Sequence, residues 1–270
     1  MMKIRNAITE FKPIQWALLL ALAWTALVAT SHAQTDADAI QAPDWAQPGS
    51  ATHKQVAPPA DFHRATRNFA VPIGIFEGQS DVGAALVPSS ASFDPATNQY
   101  TINSAGYNIW YTRDEFRFLW KKMSGDISLA ADASFPIAAP PHDRKIVLVI
   151  RQDLDDDSKE IMVGEHGTGM VHMAERPLKD TDITDMQYRI GGGLIPDGMP
   201  QRIGIEKHGD TFALYISVRG EPMHQFGPPI VLAFHEPFYV GIGFCSHYPA
   251  TVETGVLSNV VLENSAGKMN

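Results

Sequence analysis

The sequence predicts an all-β fold, a two-sheet antiparallel β-sandwich, and three observations predict it. Phe116, Phe118 and Trp120 alternate with Glu115, Arg117 and Lys121, and a strand puts such residues on opposite faces, so one sheet face carries three large rings in a row. Lys145 to Arg151 is an unbroken run rich in β-branched residues, the mark of a strand covered on both sides. Short strand-like segments follow one another at close spacing, separated by Gly and Pro turns, and no stretch of ten residues forms an amphipathic helix. Many strands with such punctuation make a sandwich or jelly roll.

Taken in order, the chain opens with a secretion signal over residues 1–33. Lys3, Arg5 and Lys12 form a positive n-region, and Trp16 to Ala29 is a mostly apolar segment of 14 residues. Ser31-His32-Ala33 puts small residues at the −3 and −1 positions, which predicts cleavage before Gln34. Fourteen residues fall short of the ~20 that a spanning helix needs. No Cys follows for lipid attachment and no Arg-Arg pair is present, so the general secretion route to the periplasm or exterior is expected. Residues 34–68, rich in Ala, Pro, Gln and Asp without periodicity, read as a flexible leader. Residues 69–264 form the sandwich, and 265–270 a tail.

Within the domain, Gln99 to Asn103 follows the turn Pro95-Ala96-Thr97-Asn98, and Asp126 to Phe135 alternates again. Glu160 to Gly164, Met170 to Ala174 and Met186 to Ile190 are weaker strands. Gln201 to Lys207, the turn His208-Gly209-Asp210 and Thr211 to Val218 form a hairpin. Pro229 to Phe234, Phe238 to Cys245 and Val256 to Leu262 complete the set. About 195 residues are ample for one core.

Charge narrows the function classes. The chain carries 21 Lys+Arg and 30 Asp+Glu, a formal net charge of −9. Loss of residues 1–33, with three basic residues and one acidic, takes it to about −11. That balance argues against a nucleic-acid partner, which wants a basic surface, and against docking on anionic lipid. No membrane partner is expected once the signal is removed. Cys245 is the only cysteine, so an exported fold has no internal disulfide to rest on. Its strand-like surroundings predict a buried small residue rather than a reactive thiol.

A set of segments in fixed order resembles a bacterial family of concanavalin A-like, laminin-G-like jelly rolls. Its members include a domain of unknown function and modules appended to some glycosidases. The segments are Gly78-Gln79-Ser80-Asp81-Val82-Gly83; Gly106-Tyr107-Asn108-Ile109-Trp110 with Asp114, Phe116, Phe118 and Ser124-Gly125-Asp126; Ile150-Arg151 with the acidic turn after it; His166-Gly167-Thr168-Gly169; Val240-Gly241-Ile242 with Cys245-Ser246-His247; and Leu257-Ser258-Asn259-Val260. The resemblance implies two curved antiparallel sheets and, by analogy of fold alone, a carbohydrate partner.

Each candidate site has a competing structural role. The Glu-x-Asp-x-x-Glu string of jelly-roll glucanases is absent, and no lyase string is evident, so the reading leans away from an enzyme without settling the question. Asp153, Asp155 and Asp157 have a spacing that suits calcium, the one cofactor the sequence raises, because hard cations want clustered carboxylate oxygens. Ser158 stands where an EF-hand needs Gly, and a solvated turn is the preferred alternative. Arg151 ends a buried strand and needs an acid, for which Glu175 or Glu165 is the expectation. His166 and His172 could face one another across the hairpin centred on Gly167 to Gly169, a structural or surface role being the preferred alternative for each. Asn108, Trp110, Trp120, Arg151, His166 and Glu175 could together supply the ring and the polar groups of a sugar site; the competing role is core for the two tryptophans and a structural pair for Arg151. The expected function is an exported, non-catalytic carbohydrate-binding module. The alternatives are a polysaccharide-active enzyme on the same scaffold and an envelope protein-interaction module.

Overall fold

Alternation at period two, repeated along the chain, builds two sheets in the computed structural model, which describes residues 64–136, 143–188, 200–218 and 220–269. The strands are β1 (Arg67–Phe69), β2 (Gly78–Val82), β3 (Ser90–Asp94), β4 (Gln99–Ser104), β5 (Ile109–Trp110), β6 (Arg113–Asp114), β7 (Phe116–Met123), β8 (Ile127–Ser134), β9 (Lys145–Arg151), β10 (Glu160–His166), β11 (Val171–Arg176), β12 (Thr184–Tyr188), β13 (Arg202–His208), β14 (Thr211–Ser217), β15 (His224–Gln225), β16 (Ile230–Val231), β17 (Phe238–Cys245) and β18 (Glu253–Glu263). No helix occurs among the described residues.

The first sheet runs β1-β2-β7-β17-β9-β10-β11-β12, and the second β15-β14-β13-β8-β18-β4-β3 with β16 on β14. Every pairing is antiparallel. The protein is therefore a two-sheet antiparallel β-sandwich, as the sequence predicts. Strands far apart in sequence are neighbours: β17 lies between β7 and β9.

Two apolar layers hold the fold. Between the sheets, Ile146, Leu148 and Ile150 of β9 meet Ile203 and Ile205 of β13, Leu214 of β14, and Val240, Ile242 and Phe244 of β17. The other face of the first sheet carries a second layer, in which Val147 and Val149 join Phe116, Phe118, Met162, Ala174 and Cys245. The predicted row of rings lies on this outer face. Phe116 and Phe118 are fully buried there, because the segment from Gly106 to Glu115 folds back across them and contributes Ile109 and Trp110 to the same layer. Gly106 makes the crossing possible: its φ is 140° and a Cβ there would lie 2.2 Å from the Glu115 carbonyl oxygen.

Some boundaries differ from expectation. The end of the expected leader belongs to the sandwich, since β1 starts at Arg67 and Arg64 donates to Glu115 at 2.8 Å. The expected tail also docks. Ser128 donates to the Ser265 carbonyl at 2.8 Å, the Gly267 N–H donates to Glu206 at 2.6 Å, and Met269 is buried. The strand expected over Pro229 to Phe234 is only Ile230–Val231. The signal sequence and residues 34–63 lie outside the described residues. Cys245 is fully buried, burial pushes its thiol up to about 12, and it donates to the Gly106 carbonyl at 3.4 Å.

Candidate functional site

The site is built where the β5–β6 hairpin overlies the outer face of the first sheet. Strand parity sends Lys145, Val147, Val149 and Arg151 outward from β9 and Glu160, Met162, Gly164 and His166 outward from β10. Register places Lys145 beside both His166 and Cys245, and Gly164 beside His172. Gly164 is required there: a Cβ would come within 2.1 Å of His172 Nε2. The missing side chain lets the His172 ring lie against the sheet, edge-on to His166 with centroids 4.9 Å apart. Trp110 stacks on His172 at 5.6 Å and 18°, and the Lys145 Nζ lies 5.1 Å from the Trp110 ring.

Beside these groups opens a cavity of about 150 Å³ lined by Asn108, Trp110, Asp143, Lys145, His166, Met170, Gln187 and His247. Burial lowers three basic groups here. Burial, with the nearby Lys145 charge, holds His166 well below its ordinary value. Burial takes His172 down to about 4 against the pull of Asp185. Burial also lowers Lys145. Asp143 lies 3.4 Å from His166 Nδ1 and Asp185 lies 3.9 Å from His172 Nδ1. The His166 Nε2 has no hydrogen-bond partner among the described residues although the side chain is buried. The site thus offers an aromatic ring, imidazoles, amides, one ammonium and the Asp143 carboxylate.

A buried ion cluster fixes the hairpin that supplies Asn108 and Trp110. Asp114 accepts from both terminal nitrogens of Arg176, at 2.7 and 2.8 Å, and from Arg151 at 2.7 Å. Glu160 pairs with Arg151 and lies 3.3 Å from Arg176. All four side chains are fully buried. The two arginines hold Asp114 below the usual carboxylate range despite burial, whereas burial raises Glu160 to about 7. The Asp114 N–H donates to the Asp156 carbonyl at 2.8 Å, and Glu115 accepts from the Tyr107 N–H at 2.9 Å.

Of the six residues expected to bind a ligand, the structure brings together Asn108, Trp110 and His166. Arg151 is not available to a ligand: its terminal nitrogens bond Asp114, Glu160 and the Asp155 carbonyl. Its acids are Glu160 and Asp114 rather than Glu175 or Glu165. Parity is the reason, because Glu165 and Glu175 are odd members of their strands. They share the inter-sheet face with Val163, Val171 and Met173, away from the cavity. Trp120 lies on the outer face, donates to Ser80 Oγ at 2.8 Å and packs edge-on against Tyr239, with centroids 5.1 Å apart, and it does not line the cavity. Asp153, Asp155 and Asp157 do converge, but on the Lys179 ammonium. It lies 3.4 Å from Asp153 and 3.3 Å from Asp157 and also pairs with Asp155, taking the place a cation would need. Among the described residues no group of His, Cys, Asp or Glu is arranged to hold a metal ion.

Sequence reasoning missed Lys145, Gln187 and His247. Lys145 carried a signal, since parity along Lys145 to Arg151 puts it on the same face as Arg151. Gln187 enters through its register with His172. His247 is placed by a left-handed residue just past β17, with φ 65°, a feature with no periodic mark.

Fold and site together define a β-sandwich with a small polar cavity on the outer face of one sheet. No protein-family profile matches the chain, and no curated protein matches it. Solved structures do. A functionally unknown protein from Saccharomyces cerevisiae is 13% identical, with a TM-score of 0.51 over 67% of this chain and 95% of that one; this likeness shows a shared fold. The carbohydrate-binding module CBM66 from Bacillus subtilis is 11% identical, with a TM-score of 0.43 over 74% of this chain and 96% of its own. An alginate lyase from Klebsiella pneumoniae is 10% identical, with a TM-score of 0.38 over 67% and 85%.

Proposed function

We propose that this chain is an exported, non-catalytic carbohydrate-binding module whose site is the cavity beside Trp110. The observation that carries the reading is the cavity lining. One half-buried indole stands among Asn108, Gln187, His166 and Lys145, and sugar recognition combines a ring face with polar groups that meet hydroxyls. The cavity is smaller than the ~300–1,000 Å³ of drug-sized sites, so it suits a single sugar unit of a chain rather than a long segment. Among the described lining residues Asp143 is the one carboxylate. Glycoside hydrolysis ordinarily needs two, which favours binding over cleavage.

Titration calorimetry against a panel of oligosaccharides tests this. Trp110→Ala is expected to weaken binding about 3- to 10-fold, the worth of one aromatic contact at ~0.5–1.5 kcal/mol. The absence of heat with every sugar at millimolar concentration would sink the proposal, and shortening of the oligosaccharides during incubation would turn it toward an enzyme. Export has its own check. Mass spectrometry of protein recovered outside the cytoplasm is expected to find a chain beginning at Gln34; an intact N-terminus retained in the cytoplasm would contradict it.

A further inference from the structure

We propose that the sugar held in this cavity is acidic, and that the Lys145 ammonium receives its carboxylate. The inference rests on the glycan reading and names the ligand class within it.

Lys145 is almost fully buried and lines the cavity. An ammonium has three donors, yet the one hydrogen bond made by its Nζ is a long one, 3.3 Å to the Ile109 carbonyl. Its Nζ also lies 5.1 Å from the centre of the Trp110 ring. The buried arginines in and beside this sheet are treated differently. Arg151 and Arg176 share Asp114 and Glu160. Arg117 holds Asp81 at 2.9 Å, and Arg144 holds Glu253 at 3.3 Å. Lys145 has no such acid within 4 Å among the described residues, and it is the one Lys or Arg among the described lining residues of the cavity. Asp143, which also lines the cavity, and Asp185 act on Lys145 from a distance, but their close contacts are His166 and His172. An unpaired buried charge costs several kcal/mol, so a ligand carboxylate that completes the pair recovers interaction the fold leaves unmade.

A second observation points into the same space. His166 Nε2 is buried, has no partner among the described residues, and belongs to a lining residue. A neutral imidazole there can exchange a hydrogen bond with a hydroxyl. A carboxylate for Lys145, a hydroxyl for His166 and a ring face for Trp110 are the three features that one uronic acid unit presents together.

The test is titration of the purified protein with three probes: oligouronides of galacturonate, glucuronate and mannuronate, the same oligosaccharides with their carboxyls reduced to alcohols, and acetate. The acidic oligosaccharides are expected to bind at least ~10-fold more tightly than their reduced forms, in keeping with a charge-assisted hydrogen bond. Lys145→Met, which keeps an unbranched chain, is expected to erase that preference, so that acidic and reduced forms bind the variant equally. Equal binding of acidic and reduced forms would overturn this inference and leave the glycan reading standing. Binding of acetate at the same concentrations as the oligouronides would overturn it in favour of a small free acid. Failure of every oligosaccharide would remove both readings. Should Lys145→Met not fold, as judged by circular dichroism, the comparison of acidic with reduced sugars on the unaltered protein decides alone.

Discussion

Asp114→Ala is expected to destabilise the domain by about 3–5 kcal/mol, the cost of breaking a buried ion cluster by removing one partner. Two guanidiniums would then share Glu160 alone, in a site from which water is excluded. Each kcal/mol moves the midpoint of a domain this size by ~2–4 °C, so the loss is easily read in a thermal or urea melt. Asp114→Asn keeps the volume and one carbonyl acceptor, and its cost should be smaller. Both variants should also weaken ligand binding, because Asp114 is the side chain that ties the β5–β6 hairpin to β9 and β11, and that hairpin carries Trp110. A melt of Asp114→Ala within about 1 kcal/mol of the unaltered protein would show that the cluster is no fastening.

Glu165→Gln is expected to stabilise the protein, by an amount that grows with pH. Glu165 lies on the inter-sheet face between Ile146 and Val171. It is 1% exposed, one carboxylate oxygen has no partner among the described residues, and burial raises it well above its ordinary value. The sign follows from proton counting. Above the ordinary carboxyl range the unfolded chain has released this proton and the folded chain still holds it. Stability is therefore full below about pH 4.5 and falls as pH rises toward the folded-state value. Gln removes that slope. The neutral histidines act in the opposite direction. His172, at about 4 in the folded protein, is charged in the unfolded chain below about pH 6.5, so its contribution is lost as pH falls from there toward 4. Comparing variant with unaltered protein at each pH cancels the histidine effect. The midpoints should nearly coincide at pH 4 and differ by several degrees at pH 8. A difference that does not change with pH would refute the buried, unpaired carboxyl.

Much of the fold was legible because period-two alternation is a local property. The run Lys145 to Arg151 announced a strand buried on both faces, and β9 is one. The rings of Phe116, Phe118 and Trp120 announced a shared face, and they share it. The approach of His166 and His172 followed from a short turn rich in glycine. What parity could not say was which face of a strand meets the other sheet. That is why Glu165 and Glu175 were expected beside Arg151, when they point the other way.

By itself, then, the sequence determined the fold class, the strand runs, the burial of Cys245 and the need of Arg151 for an acid. Each follows from neighbouring residues or from the cost of leaving a charge unpaired. The tertiary structure alone decided which acid answered, that Lys179 fills the aspartate turn, and that Lys145, Gln187 and His247 meet Asn108, Trp110 and His166 around one cavity. The cavity depends on the hairpin crossing the outer face of the sheet and on β17 lying between β7 and β9. Those are contacts between residues many tens of positions apart, made by register and by a buried ion cluster, and no local pattern encodes them.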